Sequence, residues 1–141
     1  MLTGEYSHTI DDKGRFNFPA KFREELGESF FVTKGFDSNG CLFVYSKSEW
    51  NILADKILSL PFSKSRNIQR FMFSSAVEVT PDKQGRILIP QNLRDYAGLT
   101  KDILVIGVQN RAEIWNSAAW KAVCEDITPE SVLDAMEQLD F

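Results

Sequence analysis

Apolar and polar residues alternate with a period of two near the start of the chain, where Ser7 and Thr9 separate Tyr6, His8 and Ile10. That period predicts a half-buried strand. Asp11-Asp12-Lys13-Gly14 then predicts a turn, because Asp can bond its own backbone and Gly accepts a positive φ. Arg15 to Phe18 alternate charge, ring, amide and ring, as a returning strand does. Pro19 lacks an amide hydrogen and suits the first turn of a short helix over AKFREEL, which Gly27 stops. Phe30 to Thr33 and Cys41 to Val44 predict two more strands around a loop from Gly35 to Gly40. Ser46 with Glu49 is a capping-box pattern, opening a helix with Trp50, Leu53, Ile57 and Leu60 on one face until Pro61.

The same order returns. Val77 and Val79 alternate before a turn at Pro81 to Gly85, Arg86 to Ile89 return, and Pro90 opens a helix over QNLRDYA closed by Gly98. ILVIGV and AEIW predict strands around Gln109-Asn110-Arg111. With a shift of 71, DDKGRFNFPAKFR (11–23) overlies DKQGRILIPQNLR (82–94): Asp11 on Asp82, Gly14 on Gly85, Arg15 on Arg86, Pro19 on Pro90 and Arg23 on Arg94. Tyr45 and Trp50 overlie Trp115 and Trp120 with a shift of 70, so a single-residue length change is expected between the repeated blocks. Such a repeat sets the architecture. It divides the chain into a first module (5–50), a connecting helical segment (51–75) with Ile68, Phe71 and Met72 inward, a second module (76–120), and an acidic helical tail (121–141) opened by Thr128-Pro129-Glu130. Neither module offers much core alone, so two copies about a pseudo-twofold axis sharing one core are expected, with both turns on one side.

Composition narrows the class. A chain of 141 residues that is 43% hydrophobic and 26% charged is globular. Its start, MLTGEYSHTI, shows no signal-peptide pattern, no apolar run is long enough for a membrane span, and Cys41 and Cys124 are isolated, which predicts two reduced, buried thiols and a cytoplasmic protein. The net charge of −4 argues against a nucleic-acid binder until its distribution is read. Residues 125–141 hold Glu125, Asp126, Glu130, Asp134, Glu137 and Asp140 and no cation, leaving 16 cationic against 14 acidic residues over 1–124. Both repeated stretches are locally basic, so the acidity of the tail does not exclude DNA.

The paired Asp-x-x-x-Arg, Asp11 to Arg15 and Asp82 to Arg86, each followed by apolar-x-apolar-Pro, resembles the MraZ family. MLTGEY, GVQNRAEIW and the overall length extend the resemblance over nearly the whole chain. The resemblance implies an α+β, β-rich fold: two tandem AbrB-like swapped-hairpin modules forming a pseudo-twofold, double-ψ-like β-barrel core with peripheral helices. It also implies a transcriptional regulator, expected to be a repressor of the bacterial division and cell-wall gene cluster. Such a regulator binds double-stranded promoter DNA at repeats as a ring-shaped homo-oligomer and is nucleoid-associated.

The residue chemistry fits that role. Arginine's planar fork bonds a guanine edge or a phosphate in two places, and a β-ribbon can enter the major groove. Arg15 and Arg86 are the candidate DNA contacts; phosphate repels carboxylates, so Asp11 and Asp82, with Gly14 and Gly85, are expected to orient the tips. Lys13, Lys83, Lys21, Arg23 and Arg94 are candidate phosphate contacts. For Arg23 and Arg94 a structural role near a helix end stands equally open. A lone Asp–Arg pair across a turn is a surface ion pair of about 0–1 kcal/mol; its duplication in register and the resemblance favour the functional reading. The tips differ, since Lys13 meets Gln84, Asp12 meets Lys83 and Ile10 meets Pro81.

An enzyme is the competing class, but the chain has no GxGxxG, GxxxxGK, HExxH or GxSxG and only one His, so no catalytic residue, metal site, cofactor or small-molecule substrate is expected. A non-catalytic structural or interaction module of the same fold is the alternative. Val132, Leu133, Met136 and Leu139 call for burial of the tail helix on its own chain or a neighbour, or else the tail competes with DNA for the basic tips.

Overall fold

Among the described residues, four of the six strand pairs join one half of the chain to the other. The structure, a computed structural model, describes residues 1–139; Asp140, counted in the acidic tail, lies outside the described residues. In the first half β1 (Leu2–Thr9) and β2 (Arg15–Asn17) lead to α1 (Ala20–Leu26), β3 (Phe30–Lys34), β4 (Leu42–Ser46) and α2 (Lys47–Leu58). After α3 (Phe62–Met72) the order repeats as β5 (Val77–Val79), β6 (Arg86–Leu88), α4 (Gln91–Ala97), β7 (Asp102–Gln109), β8 (Ala112–Asn116) and α5 (Ser117–Asp126), with α6 (Pro129–Glu137) last.

Six strands form one antiparallel sheet in the order β1-β7-β8-β4-β3-β5, and β2 pairs with β6 in a separate ribbon. The order is symmetric about the β8–β4 pair: the first strand of each half lies beside the third strand of the other. The two halves therefore interleave within one sheet. The fold is α+β with a large antiparallel sheet and six helices, and its hydrogen-bonded ladder does not close into a barrel. β1 and β5 end the open sheet, and the ribbon strands, three residues each, pair only with each other.

Both faces of the large sheet are covered, which explains its continuous apolar runs. Leu42, Val44, Ile103 and Val105 point to a core shared with Phe16, Phe18 and Phe22, and with Ile87, Ile89 and Leu93, under the ribbon, α1 and α4. Phe43, Tyr45, Leu104 and Ile106 alternate to the other face, where Ile57, Met72, Trp115 and the half-buried Trp50 and Trp120 form a second core under α2, α3 and α5. The registers refine the repeat. Pairing of His8 with Ile103 and of Val79 with Phe30 makes Phe30 equivalent to Ile103, a shift of 73, whereas Ser46 and Asn116 differ by 70. Length changes thus lie in two loops, not the single step expected.

Several burial expectations need correction. Cys124 is exposed, whereas Cys41 is buried and its thiol pKa is pushed up by desolvation. Leu60 is 40% exposed because α2 ends at Leu58, before the expected stop at Pro61, and Phe71 on α3 is 36% exposed while its neighbour Met72 is buried. α6 is capped as expected by Thr128; its Val132 and Leu133, and Leu139 just past its end, find no cover among the described residues of their own chain, which leaves the neighbour as the expected cover.

Candidate nucleic-acid interface

Asp11 organises the first turn through both carboxylate oxygens. Oδ1 accepts from the backbone amides of Lys13 (3.0 Å) and Arg15 (2.8 Å), and Oδ2 accepts from Arg15 Nε at 2.9 Å. Asp82 repeats the arrangement: Oδ1 accepts from Gln84 N and Arg86 N, both at 2.9 Å, and Oδ2 from Arg86 Nε at 2.9 Å. Each carboxyl is held below the ordinary aspartate value, chiefly by the arginine backbone amide, which with the arginine side chain outweighs the opposing desolvation. Nε is the tethered atom, and among the described residues the terminal Nη pair of each, the fork used for bidentate contacts, makes no hydrogen bond within the chain. The Arg15 and Arg86 side chains are 38% and 37% exposed.

The ribbon brings these arginines onto one face. Arg15 lies opposite Leu88, Phe16 opposite Ile87 and Asn17 opposite Arg86. Phe16 and Ile87 are buried, so the alternate positions Arg15, Asn17, Arg86 and Leu88 face outward. Arg15 and Arg86 are diagonal neighbours, within reach of one another's long side chains, and the turns 11–14 and 82–85 flank opposite ends of the ribbon. Lys13 and Lys83 are exposed in those turns, and Lys21 is exposed on α1.

Arg23 and Arg94 do something different. Arg94 Nε donates to the carbonyl of Ile89 (2.9 Å) and its Nη1 to that of Asp12 in the other half (3.2 Å); Arg23 Nε donates to Phe18 O (3.1 Å). Each guanidinium lies against the glycine of the opposite turn, Arg94 at Gly14 and Arg23 at Gly85. Those glycines adopt φ of +90° and +81°, and their carbonyls accept from Ile89 N (2.8 Å) and Phe18 N (3.0 Å) across the halves. A short helix of one half thus braces the turn of the other. Sequence reasoning found the arginines but not this crossing, because the two contacts join residues 80 and 62 positions apart; it also passed over Asn17 and Leu88, whose outward placement follows from strand alternation.

The sequence profile of the family described as "MraZ protein, putative antitoxin-like" matches residues 1–70 and 72–140. The chain belongs to the MraZ family. A relative from Acetivibrio thermocellus, named Transcriptional regulator MraZ, is 51% identical over 143 residues, covering 99% of each chain. The MraZ relative from Moorella thermoacetica carries the same name and is 48% identical, covering 100% of this chain and 99% of its own. Among solved structures, the solution structure of PHS018 from Pyrococcus horikoshii aligns with 82% of this chain and 99% of its own at 16% identity, with a TM-score of 0.36, too loose a likeness to inform the fold of an MraZ chain. Among the described residues no cluster of three or more His, Cys, Asp or Glu is arranged to hold a metal, and no helix is long and apolar enough to cross a membrane.

Proposed function

We propose that this MraZ chain is a transcriptional regulator that binds promoter DNA sequence-specifically through the outward face of the β2–β6 ribbon. The observation that carries the reading is the pairing of Arg15 and Arg86 on one face, each tethered at Nε and free at Nη. Pre-orientation lowers the entropic cost of a bidentate contact to guanine. Lys13, Lys83 and Lys21 supply phosphate contacts, which position without specifying; Arg23 and Arg94 act as braces that hold the tips. The target carried over from the family resemblance is the promoter of the division and cell-wall gene cluster, where binding represses and gathers the protein on the nucleoid.

Each chain neutralises few phosphates, so affinity for a set of promoter repeats depends on several copies acting together. Ring assembly is supported by two apolar surfaces that the described residues leave uncovered. One is α6, with Val132, Leu133 and the acidic Glu130, Asp134 and Glu137. The other is a cleft of about 500 Å³ between α2, α3 and Phe36, lined by Leu53, Ile57, Ile68, Phe71 and Met72. α3 carries Lys64, Arg66 and Arg70, so charge as well as shape suits the α6 of a second copy. A head-to-tail contact of that kind closes into a ring when its rotation allows.

The test is DNA from upstream of the protein's own gene, with Arg15→Ala, Arg86→Ala and the double variant checked by circular dichroism. Each single change is expected to weaken binding about 5- to 150-fold. An unchanged affinity in the folded double variant removes the ribbon from the interface.

A further inference from the structure

The outward face of the ribbon is symmetric in its arginines and asymmetric in everything else. Across the pseudo-twofold axis Asn17 is the equivalent of Leu88, yet one is an amide and the other a hydrocarbon. The register sets each beside an arginine of the other half: Leu88 faces Arg15, and Asn17 faces Arg86. Directly opposed residues on one face of an antiparallel pair have Cβ atoms about 4.5–5.5 Å apart, so each couple spans roughly the edge of one or two base pairs.

Neither side chain has a folding task to explain its type. Leu88 is 50% exposed on a face whose apolar partners, Phe16 and Ile87, all turn inward. Asn17 is exposed, and among the described residues its amide makes no hydrogen bond within the chain. An unpaired amide offers one donor group and one acceptor, the pair that an adenine edge matches at N7 and N6; an exposed aliphatic side chain offers only contact with a thymine methyl. We propose that Asn17 and Leu88 are specificity-determining residues, the Arg86–Asn17 couple reading guanine next to adenine and the Arg15–Leu88 couple reading guanine next to thymine. The ribbon then recognises two unlike half-elements, and binding fixes the direction of each protomer on the DNA. A protein with equal couples would read an inverted repeat in either orientation. The inference rests on the DNA reading above and deepens it.

The experiment uses the full chain and duplexes carrying its promoter sequence, in which single atoms are removed. Replacing thymine by deoxyuridine one position at a time deletes a methyl; replacing adenine by 7-deazaadenine deletes N7. In the wild type, one deoxyuridine position is expected to weaken binding roughly 4-fold and one 7-deazaadenine position about 5-fold or more. The first sensitivity disappears in Leu88→Ala and the second in Asn17→Ala, both of which preserve the ribbon's buried side. The exchange Asn17→Leu with Leu88→Asn reverses the preferred order of the two half-elements in a selection from randomised duplexes. A folded exchange variant that binds with the wild-type base profile overturns the inference while leaving the arginine interface standing. Wild-type protein that binds promoter and unrelated duplex equally overturns both.

Discussion

Arg94 in the second half lies against Gly14 in the first, its Nη1 donating to the carbonyl of Asp12 at 3.2 Å in the same turn. Arg23 and Gly85 make the reciprocal approach. The residues that shape each tip therefore come from both halves, and a tip loses its brace when either half is disturbed. This joins stability to the proposed site: the backbone that aims Arg15 is held by α4, and the backbone that aims Arg86 by α1.

The two turn glycines should not be equally replaceable. A Cβ at Gly14 meets the backbone carbonyl of Ile89 first and then Arg94, whereas at Gly85 its three nearest atoms all belong to the Arg23 guanidinium. Both positions carry the cost of a positive φ, about 1–2 kcal/mol. Chemical denaturation should place Gly85→Ala near that figure and Gly14→Ala clearly above it, since an arginine head can swing aside more readily than a backbone carbonyl. Equal losses, or the opposite order, contradict this packing.

Arg94→Met keeps the aliphatic stem and removes the head group from two carbonyls. Hydrogen bonds from charged donors contribute about 1.5–3 kcal/mol, and half-exposure here lowers the expected loss to about 1–2 kcal/mol. Arg23→Met, which releases one recorded carbonyl bond, should cost less. If these residues brace rather than touch phosphate, the slope of log affinity against log salt stays at its wild-type value. A fall of about 0.9 per arginine would make them phosphate contacts.

Acid should loosen the tips before it unfolds the core. Asp11 and Asp82 have folded pKa values below the ordinary 3.8, so the stabilisation they give is complete above that pH. It is lost as pH falls through their lowered folded values. Carboxyl-carbon NMR titration is expected to place both midpoints below 3.8, with Asp11→Asn and Asp82→Asn releasing the Arg Nε resonances. A midpoint at or above 3.8 for either residue is incompatible with the hydrogen bonds observed.

The tail helix and the α2–α3 cleft should control size more than stability. Leu133→Glu alters a side chain that is 55% exposed, so thermal unfolding of the monomer is expected to move little, whereas Phe71→Glu also gives up an edge contact with Tyr96 and is expected to lower it modestly. Sedimentation should show both variants as smaller species than the wild type, and each should bind a multi-repeat promoter far more weakly than the wild type while keeping single-repeat affinity. Retained assembly in both variants places the subunit contact elsewhere.

Local physics was largely legible in the chain. The bounds AKFREEL and QNLRDYA of α1 and α4 followed from Pro and Gly at their ends, and the Asp-to-Arg turns followed from residue type alone. Burial was less legible: the apolar periodicity of α6 and the part-exposed Leu60 and Phe71 signal a demand for cover without saying which molecule supplies it. The single length change was misjudged because two loop changes of opposite sign nearly cancel in the sequence.

The sequence by itself determined the repeat, the turns that tether Arg15 and Arg86, and the alternation that gives each strand two faces. Only the tertiary structure decided which strands meet. Pairing is a long-range choice made by closing loops around a shared core, and a period of two says that a face exists without naming its partner. That choice set β2 beside β6, turned two separate tips into one face bearing diagonal arginines, and placed Asn17 and Leu88 between them.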